Sequence, residues 1–188
     1  MSETEKEVER NIRGKIITSK EKKKAWISPL AEYRTPMNHA LTLAAELLES
    51  WIVQYSGKDV YPPIVFNITD GELTDATEKE VLNTTKRIKQ LRTIDGNVLL
   101  FNMHISAKNH ESVIFPTKKS ELPDDKNAHL LFDMSSDLPD IYNRDIATLK
   151  NTDLMTFTGM SYNSSLSQLV SMMNIGTSTT TRQIQQTP

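Results

Sequence analysis

The chain has 188 residues, 37% of them apolar and 24% charged, a balance suited to one globular domain. Its 22 basic and 24 acidic residues give a net charge of -2, so no electrostatic footprint for nucleic acid or an anionic membrane is expected. The absence of Cys removes disulfides, thiolate metal sites and cysteine nucleophiles, and no apolar run approaches the roughly 20 residues of a membrane span.

The opening segment MSETEKEVERNIRGK has no apolar core, so no secretory leader is expected and the cytoplasm is the expected compartment. Residues 1–25 are dense in charge, with a lysine run at Lys20, Lys22, Lys23 and Lys24. They are expected to form a partly ordered peripheral hairpin, Arg13 to Thr18 against Lys24 to Pro29, turning across the lysines. The run reads as solvated, because a nucleic-acid patch would want several neighbouring aromatics and only Trp26 is adjacent. Residues 26–176 hold the folded domain, and the Thr- and Gln-rich residues 177–188 are expected to be disordered.

From Pro36 to Tyr55, Met37, Ala40, Leu41, Ala44, Leu47, Leu48, Trp51 and Ile52 recur at three- and four-residue steps, which predicts an amphipathic helix. Thr35 suits its N-cap and Pro36 its first position, with Gly57 just past the end. IVFNIT (Ile64 to Thr69) then reads as a short buried strand ending in Asp70-Gly71. Asp75 with Glu78 resembles a capping box for a second helix running to about Arg92, with Val81, Ile88 and Leu91 inward. After the Asp95-Gly96 turn, NVLLFNMHIS (Asn97 to Ser106) is a second buried strand, and strand-helix-strand order implies a parallel pair with a right-handed crossover. Ser112 to Phe115 and His129 to Met134 are short apolar segments, and Leu154 to Gly159 is a third strand candidate. Asn163 to Asn174 forms a helix with Gly176 at its C-cap. The pattern is an α/β fold, an open sheet with helices on its faces.

Ligands of open α/β sheets bind outside the carboxyl ends of strands. Asp70 lies at such an end, and Gly71, Glu72, Thr74 and Asp75 follow it closely, while Thr35 offers a hydroxyl at a helix start. Such hard oxygens suit Mg²⁺ or Mn²⁺, not zinc. The plainer reading is that Asp70-Gly71 turns the chain and Thr35 and Asp75 cap helices, and caps and turns are abundant enough for local pattern alone to favour it. The four His residues share no zinc-like spacing; His104, inside a strand, reads as a hydrogen-bonded core or rim residue, and His39 as part of a polar helix face.

RTPMNHALTLAAELL, followed after about thirty residues by PPIVFNITDGELTD, resembles the von Willebrand factor type A (VWA) domain family, in particular its cytoplasmic bacterial branch. NVLLFNMHIS, SVIFP, ELPD, HLLFDMSSDLP and LSQLVSMMNIGT follow in that branch's order and spacing, and the resemblance covers Trp26 to Thr177. It implies a Rossmann-like sheet and a metal-ion-dependent adhesion site, with Thr35 as a hydroxyl ligand and Asp70 acting through water. It implies that Gly71, Glu72, Thr74 and Asp75 surround those ligands. The family's first metal loop, Asp-x-Ser-x-Ser, has no counterpart between Met1 and Arg34, and Tyr33-Arg34 stand where Gly is usual before Thr35. The resemblance therefore implies an incomplete VWA fold lacking its N-terminal strands, with Ile64 to Thr69 left as an edge and with Mg²⁺ or Mn²⁺ binding weak or absent. Asp133-Met134-Ser135-Ser136-Asp137 approaches the missing motif as a circular permutation would, or starts a helix or turn with Ser and Asp as caps.

The function so implied is a non-catalytic protein-interaction domain, its partner a protein that presents an acidic side chain to the ion, or a separately encoded N-terminal half, with no nucleic acid or membrane involved. A metal-dependent phosphoester hydrolase or phosphotransferase is the alternative, since an Asp at a strand end with Mg²⁺ also fits phosphoryl chemistry. A metal-free structural subunit is the third.

Overall fold

The computed structural model describes residues 2–12, 15–25, 35–105, 111–154 and 156–184. These belong to two compact units, Met1–Tyr33 and Arg34–Pro188. In the first, β1 (Ser2–Ile12) and β2 (Lys15–Ala25) form an antiparallel hairpin. Its register sets Glu3, Glu5 and Glu7 opposite Lys24, Lys22 and Lys20. Ile12 pairs with Lys15, and the lysines expected in a turn lie along a strand. The expected second strand, Lys24 to Pro29, falls mostly outside the described residues.

The second unit is α/β. In order it contains α1 (Met37–Gln54), β3 (Ile64–Thr69), α2 (Glu78–Gln90), a small hairpin of β4 (Arg92–Thr93) and β5 (Gly96–Asn97), β6 (Leu99–His104), β7 (Val113–Ile114), α3 (Lys126–Met134), α4 (Asn143–Lys150), β8 (Met160–Tyr162) and α5 (Leu166–Ile184). A mixed sheet has the order β3-β6-β8-β7, with β6 parallel to both β3 and β8 and β7 antiparallel to β8. Among the described residues no helix is long and apolar enough to cross a membrane.

All of β6 is buried, and its alternation divides the core. Leu100 turns to one face with Leu41 and Ala45 of α1, Val81 and Ile88 of α2, and Leu131 and Met134 of α3. Leu99, Phe101 and Met103 turn to the other, with Ile146 of α4 and Leu169 and Met172 of α5. Helices therefore cover both faces. Asn102, one of two polar residues in the strand, is satisfied in the core: its amide donates to Ser135 Oγ at 3.0 Å, and its carbonyl accepts from Asn67 Nδ2 at 2.8 Å.

Several elements depart from the sequence expectation. β3 is half-buried instead of buried, with Ile68 49% exposed, because among the described residues its one sheet neighbour is β6. The apolar run His129 to Met134, whose state the sequence left open, lies in α3, whose N-cap Asp125 accepts from the Ala128 amide. Among the described residues of 154–159, Thr158 makes an isolated bridge to Asp137, and the strand begins at Met160. α2 is capped by Thr77 and Glu80, each accepting from the other's backbone amide, and not by Asp75 and Glu78.

α5 does not close at Gly176 but continues to Ile184, through residues expected to be disordered. The glycine answers a different need. A Cβ there would stand 2.9 Å from Phe66 Cζ and 3.7 Å from Phe101 Cζ, so its bare backbone lets the helix lie close on β3 and β6.

Candidate functional site

The candidate residues gather at the carboxyl end of β3 and the start of α1. Thr35 was expected to cap α1, but the N-cap is Pro36, whose ring has no oxygen to offer the first-turn amides. Asp75 supplies the missing acceptors: Oδ1 takes the Asn38 amide at 3.1 Å and Oδ2 the His39 amide at 2.8 Å. Its negative charge also sits at the positive end of the helix dipole. One residue earlier, the Thr74 hydroxyl accepts from the Thr35 amide and donates to the Thr35 carbonyl, both at 2.9 Å. Thr74 and Asp75 thus latch the loop after β3 onto the entry of α1.

Asp70 and Gly71 are held from a different side. Ile105 donates to the Thr69 carbonyl, extending the β3–β6 pairing by one rung. The His104 ring, only 6% exposed, makes a 3.0 Å hydrogen bond from Nε2 to the Asp70 carbonyl while Nδ1 accepts the Asn163 amide at 3.1 Å. An amide can only donate, so Nδ1 is the unprotonated nitrogen and Nε2 carries the hydrogen. The ring also stacks on Tyr162, 4.5 Å between centroids and 5° from parallel. Gly71 passes against this ring at φ +89°, where a Cβ would meet His104 Cδ2 at 3.0 Å. Both the left-handed backbone and the close approach require glycine. His104 is thus the hydrogen-bonded, buried residue that its strand position suggested, and it organises a loop that local sequence pattern leaves unconnected to it.

Asp70 is exposed, and among the described residues its carboxylate has a 3.3 Å contact from the Glu72 amide; Glu72 is exposed too. Asp75 has both oxygens committed to α1. Among the described residues no three His, Asp or Glu side chains converge as a cation site would need. Asp70, Glu72 and Thr35 would offer fewer oxygens than a protein-built Mg²⁺ shell even if they converged, so the residues present do not fit a complete site. The permuted-loop candidate does not repair it. Asp133 lies in α3 and pairs with Lys119 at 2.6 Å, Ser135 Oγ donates to the Leu131 carbonyl, and Ser136 Oγ accepts the Leu100 amide. Asp133 and the two serines are engaged in holding α3 to its neighbours and to β6.

Comparison with family models, with curated proteins and with solved structures returned no match to this chain.

Proposed function

We propose that this chain is a non-catalytic, cytoplasmic protein-interaction domain of the VWA type, with an incomplete cation site. The observation that supports it is the latch of Thr74 and Asp75 onto the start of α1. It brings the loop carrying Asp70 beside Thr35 at the carboxyl end of a parallel strand, where binding sites of open α/β sheets form. On this reading Asp70 and Thr35 offer a weak Mg²⁺ or Mn²⁺ position that a partner's acidic side chain completes, and a separately encoded N-terminal half is a further partner. The phosphoester hydrolase reading would need a second carboxylate or a nucleophile aimed at the same point, and Asp75, the nearest in sequence to be fixed, is turned to α1. The commitment of both Asp75 oxygens favours, as a second reading, a metal-free structural subunit.

Thermal unfolding with and without millimolar Mg²⁺ or Mn²⁺, for the parent and Asp70→Ala, tests the proposal. A ligand near its Kd stabilises by roughly 0.4 kcal/mol, a rise of about 1 °C for a chain this size. That rise is expected in the parent and not in Asp70→Ala. No rise in either would favour the metal-free subunit, and phosphoester turnover lost in Asp70→Ala would replace the proposal with the hydrolase reading.

A further inference from the structure

An open cavity of about 440 Å³ lies between the last turn of α1, the connection that follows it and the β4–β5 hairpin. These segments lead into β3 and β6, which begin at Ile64 and Leu99, whereas Asp70 follows the last residue of β3. Six residues of strand, roughly 20 Å, thus separate the cavity from the loop that carries Asp70. Its volume is that of a small-molecule site, a class spanning roughly 300–1,000 Å³.

Part of the lining is aromatic. Trp51 and Tyr55, four residues apart at the end of α1, stack with ring centroids 4.6 Å apart and planes 29° from parallel. Both are half-buried, so they add apolar ring surface to the cavity. The charged part of the lining is wholly basic. Lys58 holds its ammonium 4.9 Å from the Tyr55 ring centroid, and Arg92 enters from β4. The lining includes no acidic residue. Among the described residues neither cation pairs with a carboxylate, in contrast to Arg87, Lys119, Lys126 and Lys150. A helix C-terminus is itself partly negative and would oppose an anion. Here the Trp51, Val53 and Tyr55 carbonyls already accept from the Tyr55, Ser56 and Lys58 amides, which leaves the two cations as the dominant charge.

We propose that this cavity binds a small aromatic anion, its ring laid against Trp51 and Tyr55 and its negative group held by Lys58 and Arg92. The lining selects for both halves of such a molecule. A cationic ligand would meet two like charges, and an uncharged one would desolvate them without a partner. An anion with no ring would leave the aromatic surface uncovered. Either a carboxylate or a phosphate supplies the charge, since a guanidinium can take two oxygens of each. The inference is independent of any cation at the β3 loop.

Titration calorimetry of the full chain with indole-3-acetate and with adenosine monophosphate tests it. Indole-3-acetamide and adenosine serve as ring-only controls, and acetate and inorganic phosphate as charge-only controls. At least one of the two aromatic anions is expected to bind once per chain with a Kd of about 1 mM or tighter. The tighter one identifies the charged group, and its controls should bind roughly tenfold more weakly or not at all. Lys58 and Arg92 are exposed, so Lys58→Gln and Arg92→Gln should each weaken binding by a similar factor and leave the melting midpoint unchanged. Asp70→Ala should bind as the parent does. The inference is overturned if neither aromatic anion binds, or if a control binds as tightly as its parent anion. Charge variants that keep the parent affinity, or loss of binding in Asp70→Ala, overturn it as well.

Discussion

Asp75 serves amides 36 and 37 positions away in the chain, so its role depends on two segments meeting. Replacing it by Ala removes two acceptors and a charge at a helix N-terminus, and the expected loss is about 1–2 kcal/mol of stability. Asp75→Asn should recover part of it. Urea unfolding midpoints measure both, and a midpoint unchanged in Asp75→Ala would show that the latch contributes nothing. None of this was legible from local pattern, where Asp75 followed by Glu78 looked like the start of α2. The real cap lies two residues on, at Thr77. Asp70-Gly71 was readable as a sharp turn because Gly follows a strand-end Asp. The ring of His104 that Gly71 must clear comes from the neighbouring strand, and nothing within the loop announces it.

Gly176 shows the same limit for whole elements. In a solvated helix, Gly→Ala stabilises by roughly 0.5–1 kcal/mol. Here the added methyl collides with Phe66, so Gly176→Ala is expected to destabilise by about 1 kcal/mol, as overpacked cores do. Phe66→Leu should relieve it, and a double-mutant cycle of denaturant midpoints would read the coupling. Additive effects would mean that α5 does not lie on β3 as described. The long-period elements α1, α2, β3 and β6 were legible because their apolar spacing extends over enough residues to separate a helix from a strand. α3 was not, since six apolar-rich residues fit either, and β8 is only three residues long. The end of α5 was misplaced because a glycine selected for close packing looks, in sequence, like a glycine selected to stop a helix.

For the molecule as a whole, the shifted carboxyls act in one direction. Burial pushes the Glu121 carboxyl up, but the Thr117 hydroxyl and amide, Lys150 and the Lys118 amide outweigh it and hold it below the ordinary range. The Thr77 amide and hydroxyl lower Glu80, and hydrogen bonding from Arg87 lowers Glu49. A carboxyl lowered by folding contributes fully above its unfolded value and loses that contribution as pH falls through the folded one. The urea midpoint should therefore be level near neutrality and drop as pH falls below the ordinary glutamate range, and Glu121→Gln should flatten part of that slope. An unchanged slope would remove Glu121 from the account. The open α/β architecture was readable at this scale from alternation alone, whereas the mixed sheet order was not, because β7 and β8 are too short to show a period. One consequence concerns the order in which the parts assemble. α2 carries both halves of its cap within its own first turn, so it can nucleate alone on a growing chain. α1 precedes it in synthesis but holds its start with a residue on the far side of β3. The first long helix to be made is thus the later one to become firm, waiting for the strand and loop that follow it.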